Sequence, residues 1–374
     1  MVRVRVAVSP PYEALIQDGL LAHAGEQVRE WSGGTPPLFV ITVPVLRRRW
    51  GKQLTQSLSG AGFRVRWLEM SDGEPHKHLT TVARLAEKLA RLDADRDAVI
   101  VAFGGGVVGD VAGLLASLYM RGVRLVQVPT TVLGQVDASI GGKTAVNLPA
   151  GKNLVGTFHQ PLGVLVDPEV LSSLPERQFR AGLYESLKCG VIGMPELFDR
   201  LERADWKALR RDPRTLEWVI AQSIRLKADV VSKDERESGL RRVLNFGHTI
   251  GHALEAESRY RRFLHGEAIA WGMIAAVEIA RQMGVCSQTT SQRIEDAVLR
   301  AGSLPKVEVR SRDILARLAT DKKTRNGVVH FVLPREVGEV EIVSHVPESL
   351  VTQAVLELRR LSQRGRRNPC SVSS

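Results

Sequence analysis

Cysteine is scarce in this chain: the three present, Cys189, Cys286 and Cys370, lie far apart, and no Cys-x-x-Cys pair occurs. That scarcity excludes a disulfide framework and points to a reducing cytoplasm as the working compartment. Long apolar runs are missing as well. The longest, Ala268 to Ala280, carries Glu278 and falls short of the roughly 20 residues that a bilayer span needs, so no membrane role is expected. No export signal is visible at the N-terminus, where Met1 to Val6 alternates apolar and basic residues in the manner of a strand. Internal repeats are absent, and compositional bias is confined to the last residues.

Acidic residues are in deficit, 41 against 52 Lys and Arg, which leaves a net charge of +11 over 374 residues. Clustered cations gain binding energy from nucleic acid by releasing phosphate counterions. Part of the excess, however, lies in Arg47-Arg48-Arg49 and in the tail Arg359 to Arg367, and no recognition motif accompanies it, so no nucleic-acid partner is expected. The 44% hydrophobic content is that of a soluble protein long enough for two domains with separate cores.

Short β-branched runs recur in the first half at Leu38 to Thr42, Phe63 to Leu68, Ala98 to Phe103, Val123 to Val128 and Gly163 to Asp167. Helix-like stretches such as Leu79 to Arg91 lie between several of them, an alternation that predicts an α/β domain with a Rossmann-like parallel sheet over residues 1–170. From about residue 175 the periodicity turns helical, at Gln178 to Val191, Pro195 to Ala208, Leu216 to Val231, Thr249 to Ser258 and Glu267 to Met283. A mostly α-helical domain is therefore expected over 171–360, with one short strand at Val328 to Leu333 and a basic, disordered tail over 361–374. Two domains of unlike class make an interdomain cleft the expected place for an active site.

The strand Ala98 to Phe103 runs into Gly104-Gly105-Gly106-Val107-Val108-Gly109-Asp110 and then a small-residue helix, Val111 to Tyr119. This satisfies G-x-G-x-x-G in a strand-to-helix context, where glycines let a helix N-terminus approach a pyrophosphate. Taken alone it also fits a tight turn without a ligand, since no acidic residue follows about twenty positions on. Pro129 to Pro161 then shows little helical or strand period. Its Asp137, Gly141-Gly142-Lys143, Asn147 and Gly151-Lys152-Asn153 are what an anionic, hydroxyl-rich ligand needs, or equally what a solvated loop contains.

His248 and His252 stand four apart, on one helical face, and His265-Gly266-Glu267 opens the next helical run. Upstream, Glu185 and Lys188 share a face three apart. Imidazole with carboxylate is a common ligand set for a catalytic divalent ion. The pair at 248 and 252 could supply two such ligands, although the His-x-x-x-His zinc helix usually has Glu after its first histidine and here the residue is Thr249.

Taken together, these segments resemble the 3-dehydroquinate synthases, within the wider sugar-phosphate cyclases, over about residues 70 to 335. The motifs are Gly104 to Asp110, Tyr119-Met120-Arg121-Gly122, Pro129-Thr130-Thr131, Val136 to Asn147, Gly151-Lys152-Asn153, Leu244 to Thr249 and His265-Gly266-Glu267, all in order and spacing. The resemblance implies NAD and a zinc or cobalt ion as cofactors, and Glu185, His248 and His265 as metal ligands. His252 and Glu237 then become proton-transfer residues. Lys188, Arg241 and Asn245 join the catalytic set and also hold substrate, with Asp137, Lys143, Asn153, Lys227, Arg121 and Lys322 or its neighbour Lys323. Arg121 would reach a neighbouring subunit of a homodimer. For NAD, the matching positions are Glu74, Lys77, Gly105, Gly106, Val107, Asp110, Thr130, Thr131 and Lys152.

The chain departs from the family in two places. Val43-Pro44 follows the strand Leu38 to Thr42, where members carry an acidic residue for the adenosine ribose, and Tyr184 and Cys189 stand where small and aromatic residues are usual. The implied reaction converts 3-deoxy-D-arabino-heptulosonate 7-phosphate into 3-dehydroquinate and phosphate, by oxidation, β-elimination, re-reduction and aldol closure. The competing expectations are a sister cyclase acting on another sugar phosphate, a metal-dependent polyol dehydrogenase, and an inactive NAD-binding relative.

Overall fold

The computed structural model describes residues 1–324 and 328–364, with side chains over 1–320 and 328–363. The chain divides into two compact units, Met1–Gly182 with Leu209–Arg236, and Leu183–Ala208 with the described residues from Glu237 on. The sequence pattern places the change of class at 170/171. The structure puts the division inside a helix, and it returns a later helix to the first unit.

The first unit is built on a seven-stranded sheet of β1 (Val2–Val6), β2 (Tyr12–Ile16), β3 (Leu38–Thr42), β4 (Val65–Glu69), β5 (Val99–Gly104), β6 (Arg124–Pro129) and β9 (Gly163–Val166), in the order β1-β2-β9-β6-β5-β3-β4. Only the edge pair β1 and β2 is antiparallel; every other pairing is parallel. The central strands β3 and β5 are buried along their whole length, which is why they read as unbroken apolar runs and not as alternation. Helices α1 (Ala24–Ser32), α2 (Pro44–Gly60), α3 (Leu79–Arg91) and α4 (Gly106–Leu118) belong to this unit. Two apolar clusters complete it, one containing Phe39, Leu85, Ile100 and Leu115, the other Val40, Leu54, Val101 and Phe103. The Arg47-Arg48-Arg49 run lies on α2, where Arg47 pairs with Glu69 at 3.0 Å and covers Trp67.

The segment 129–161, expected to be irregular, contains a π-helical turn at Gly134–Ala138 and a hairpin of β7 (Lys143–Leu148) and β8 (Gly151–Phe158). Its strands escape sequence reading because β8 has no buried residue and holds two glycines, so its pairing owes little to intrinsic propensity. A Cβ on Gly156 would lie 2.2 Å from the Thr144 carbonyl oxygen, so the close pairing needs glycine there.

Helix α5 (Glu176–Gly193) spans the division. The expected helix over 195–208 is two: α6 (Pro195–Arg203) and a single turn, α7 (Trp206–Leu209), whose Lys207 N–H is capped by Asp205 at 2.9 Å. Helix α8 (Pro213–Lys233) packs on β1, β2 and the π turn, within the first unit. The Ala7 N–H donates to Ser232 Oγ at 2.8 Å, tying α8 beside the edge strand. The second unit holds α9 (His248–Glu257), α10 (His265–Gln282), α11 (Gln288–Arg300), α12 (Ser311–Thr324), α13 (Glu348–Arg364) and the hairpin β10 (Phe331–Glu336) with β11 (Glu339–Val343). Of the tail assigned from sequence to 361–374, residues 361–364 are the last turn of α13, and the rest lie outside the described residues. Among the described residues, no helix is long and apolar enough to cross a membrane.

At the end of β9, buried Asp167 accepts N–H bonds from Gly19 (2.9 Å), Leu21 (2.7 Å) and Glu169 (2.9 Å). Loss of hydration outweighs these three donors and pushes its pKa up to about 6. A folded pKa raised above the unfolded one means that the group's contribution is present below the ordinary carboxylate value and is lost as pH rises through about 6. The stability of the protein relative to its Asp167→Asn variant should therefore fall between pH 4 and pH 7, by on the order of 3 kcal/mol. Urea unfolding of both proteins at the two pH values checks this, and a constant difference would reject it.

Candidate active site

Strand β5 delivers the chain to Gly105, which precedes the first turn of α4. A Cβ on Gly105 would meet Thr131 Cγ2 at 2.9 Å, so only glycine lets the end of β6 come this close. Thr131 in turn accepts the Gly134 N–H at 3.0 Å and starts the π turn, while the Thr130 N–H donates to the Gly104 carbonyl at 3.0 Å. Gly106 and Val107 lie in the first turn of α4, whose N–H groups the helix itself leaves unpaired, the ordinary setting for a pyrophosphate.

Around this turn, residues far apart in sequence form one network. Lys77 is buried, and its ammonium reaches Asp110 Oδ2 and Asn153 Oδ1, both at 2.5 Å. Glu74 Oε1 accepts from Asn147 Nδ2 at 2.8 Å and lies 3.8 Å from the Lys152 ammonium. Asn147 closes the network: its N–H donates to the Lys77 carbonyl at 2.8 Å and its Oδ1 accepts the Asn153 N–H at 2.9 Å. Loss of hydration raises the Asp110 pKa, and the Lys77 charge opposes the rise. Asn153, assigned by resemblance to substrate, thus sits among the residues assigned to NAD. Sequence reading offered Asn147 only as a polar group for a hydroxyl-rich ligand; its part in joining Glu74, Lys77 and Asn153 shows only in three dimensions, because Glu74 and Lys77 lie some seventy residues upstream.

Lys227 of α8 is also buried in this unit, with its ammonium 2.6 Å from both the backbone oxygen and the Oδ1 of Asp137 in the π turn. Lys143 is exposed at the start of β7, and Arg121 is exposed in a turn where it and Met120 both adopt positive φ. Val43 and Pro44 form the N-terminus of α2, with Val43 buried as N-cap, so the adenosine-side carboxylate usual in the family has no counterpart at those two positions.

In the second unit, α9 and α10 cross through glycines. Gly247, the left-handed residue that opens α9, has no room for a Cβ, which would lie 2.9 Å from the Ile269 carbonyl oxygen. This close approach puts His248 and His252 of α9 beside His265, the first residue of α10. Glu267 Oε2 accepts the Leu264 N–H at 2.9 Å and caps that first turn, which gives the His-Gly-Glu motif a local structural reason. The ring centroids are 5.0 Å apart for His248 and His252, 5.4 Å for His248 and His265, and 5.7 Å for His252 and His265. One nitrogen from each ring can be chosen such that all three lie within 4.8 Å of one another.

Glu185 and Lys188, both 1% exposed on α5, form an ion pair, and Glu185 Oε1 lies 3.7 Å from His265 Nε2. Neither Glu185 oxygen receives a well-formed hydrogen bond. A buried carboxylate beside His265, whose ring is grouped with those of His248 and His252, is a fitting donor for a divalent cation, since ligand atoms around a tetrahedral ion lie roughly 3.3 Å apart. The tautomers agree. The carbonyl oxygen of Phe246, 3.1 Å from His248 Nδ1, can only accept, and so can the buried carboxylate of Glu255, 3.2 Å from His265 Nδ1. Both rings thus keep Nε2 as the donor atom for an ion. Loss of hydration, then the Lys188 charge, holds the His248 pKa well below the ordinary imidazole value, so the ring stays neutral and able to ligate. Sequence reading missed Glu255, although it lies two turns after His248 on the same helix.

Geometry gathers the three histidines without ranking them: exposed His252 is as near the others as a ligand would be. Arg241 is buried in the 3-10 turn Leu240–Asn245, and Asn245 Nδ2 donates to Glu237 Oε1 at 2.9 Å. Tyr184, a departure from the family pattern, packs 5.0 Å from Trp206. Lys322 lies outside the described side chains.

Residues 67–181 match the family described as 3-dehydroquinate synthase N-terminal, and residues 182–324 the family described as 3-dehydroquinate synthase C-terminal. A relative from Koribacter versatilis (strain Ellin345), named 3-dehydroquinate synthase, is 54% identical over 363 residues, 97% of this chain and 99% of its own length. Among solved structures, 2-epi-5-epi-valiolone synthase from Streptomyces hygroscopicus subsp. jinggangensis 5008, with NAD+ and Zn2+ bound, is 31% identical with a TM-score of 0.86 over 94% of this chain and 97% of its own. A 2-deoxy-scyllo-inosose synthase complexed with carbaglucose-6-phosphate, NAD+ and Co2+ is 28% identical with a TM-score of 0.81 over 95% and 99%. With both halves of the chain matched and a relative this similar over nearly its full length, the chain belongs to the 3-dehydroquinate synthase family.

Proposed function

We propose that this protein converts 3-deoxy-D-arabino-heptulosonate 7-phosphate into 3-dehydroquinate and phosphate, as a phosphate-eliminating lyase of the shikimate pathway to chorismate and the aromatic amino acids. The observation that carries this reading is the cluster of His248, His252 and His265, with the Glu185 carboxylate 3.7 Å from His265, in a chain that also has a glycine turn suited to a dinucleotide. Relatives at 54% and 46% identity are named 3-dehydroquinate synthase, which favours this reaction over those of the sister cyclases it resembles at 31% and 28%.

When bound, NAD supplies a reversible hydride acceptor and a divalent zinc or cobalt ion supplies a Lewis acid for hydroxyl oxygens. Glu185, His248 and His265 would hold the ion. His252, exposed beside them, takes and returns a hydroxyl proton, and Glu237, held by Asn245, is the second proton carrier. Lys188 and Arg241, both almost fully buried, orient the anionic groups of the substrate, and Asn245 positions a hydroxyl. Asp137, Lys143, Asn153, Lys227 and Lys322 complete the substrate set, while Glu74, Lys77, Gly105, Gly106, Val107, Asp110, Thr130, Thr131 and Lys152 bind NAD.

The protein works in the cytoplasm as a homodimer in which Arg121 reaches the second copy. Exposed Leu118, Met120, Leu154 and Phe158 support this, because apolar side chains around the Arg121 turn and β8 gain from being covered. The test of function is phosphate release from the heptulosonate phosphate with NAD and Co2+ present, against sedoheptulose 7-phosphate and glucose 6-phosphate as controls. Release from the first substrate alone is expected. Release only from a control would move the protein to a sister cyclase, and none from any would leave a binding protein.

A further inference from the structure

The hairpin β10–β11, with His330 at its root, touches three of the segments that carry the proposed metal and substrate residues of the second unit: α5, the turn Leu240–Asn245 and α9. At its tip the Gly338 N–H donates to the Val191 carbonyl at 2.9 Å, at the end of α5, the helix of Glu185 and Lys188. Gly338 has φ +98, and a Cβ there would come 2.5 Å from Pro195, so the tip is seated on the α5–α6 corner. At its root, His330 makes two further links. Its carbonyl accepts from Thr249 Oγ1 at 3.0 Å, beside His248, and its ring Nε2 lies 3.1 Å from Arg242 NH1, beside Arg241.

The chemistry of the ring contact is directional. A guanidinium can only donate, so Nε2 must present its lone pair, and the ring proton of the neutral imidazole then sits on Nδ1, 3.2 Å from Ser344 Oγ. His330 is thereby tied to the end of β11 on one side and to the Leu240–Asn245 turn on the other. That turn has 3-10 geometry, whose hydrogen bonds are poorer than those of an α-helix, and it carries both Arg241 and Asn245. A turn of that kind keeps one conformation when something outside it holds it.

We propose that His330 is a positioning residue for the substrate-binding turn, holding Arg242 so that Arg241 and Asn245 keep one orientation toward the anionic substrate. The proposal rests on the reaction assigned above, but part of its test does not. In the metal- and NAD-loaded enzyme, His330→Ala should raise KM for the heptulosonate phosphate about tenfold, as expected for losing a hydrogen bond to a charged donor, with kcat within about threefold. Metal content should be unchanged. His330→Gln, whose amide oxygen can accept from Arg242 while its N–H donates to Ser344, should restore most of the loss.

Independently of turnover, backbone hydrogen exchange across residues 240–249 should quicken in His330→Ala and return toward wild type in His330→Gln. Ser344→Ala, at an exposed position, should give a smaller step in the same direction. Unchanged exchange across 240–249 in His330→Ala, an unmoved KM, or equal KM defects in the Ala and Gln variants would each overturn the proposal. A wild-type enzyme that does not turn over this substrate would defeat the functional assignment instead, and the exchange result would still decide the role of His330.

Discussion

His248→Ala yields a folded protein that no longer retains a divalent ion through gel filtration and whose turnover falls at least about a thousandfold. The ring is half-buried and neutral, its Nδ1–H is fixed on the Phe246 carbonyl, and Nε2 is the atom it has to offer. Removing it takes one ligand from the proposed set of three and leaves the α9–α10 crossing, which rests on Gly247, undisturbed. Glu185→Gln should lose the ion in the same way. Glu185→Ala is the poorer experiment, since it takes the carboxylate away from the buried Lys188 ammonium and costs about 3 kcal/mol of stability besides. His252→Ala discriminates between the two roles open to that ring. It should keep one equivalent of ion while turnover falls roughly a hundredfold or more, the loss expected of a proton carrier. Metal analysis beside steady-state rates decides the matter: an ion retained by His248→Ala, or lost by His252→Ala, exchanges the assignments of the two residues.

Lys77→Met should be the most damaging single change in the first unit. It leaves the Asp110 carboxylate without the ammonium 2.5 Å away and frees Asn153 from the same partner. Breaking a largely buried pair by removing one member costs about 3 kcal/mol, which would lower the midpoint of unfolding clearly. With the Lys77 charge gone, the Asp110 pKa moves further up, because the principal influence opposing loss of hydration has been removed. NAD affinity should fall at least about tenfold, since Glu74, Asn147 and Asn153 belong to the same network and shift with it. The double variant Lys77→Met/Asp110→Asn should recover most of the stability and little of the NAD affinity. Urea unfolding together with NAD titration tests both halves; additive stability losses in the double variant would show that the pair is not coupled.

Legibility in the sequence followed burial and period. The parallel strands were readable because strands buried on both faces are continuous apolar runs, and α10 because its apolar run is too long for a strand. The β7–β8 hairpin was not, since its second strand has no buried residue and so no apolar alternation to read. Helix α8 was readable as a helix but not as part of the first unit. Its place there comes from contacts such as Ala7 to Ser232 and Lys227 to Asp137, made across long sequence separations.

By itself, the sequence determined the class of each half, the glycine turn and the residue types available to an ion, a dinucleotide and an anionic sugar, because local periodicity and motif order are carried by neighbours along the chain. Tertiary structure alone decided that Asn147 links Glu74, Lys77 and Asn153, that Glu255 fixes the tautomer of His265, and that His330 meets both Thr249 and Arg242. Those contacts join residues separated by as many as 88 positions in the chain. Whether two such groups meet depends on how helices and hairpins pack, where a single Cβ at Gly247 or Gly338 would hold them apart.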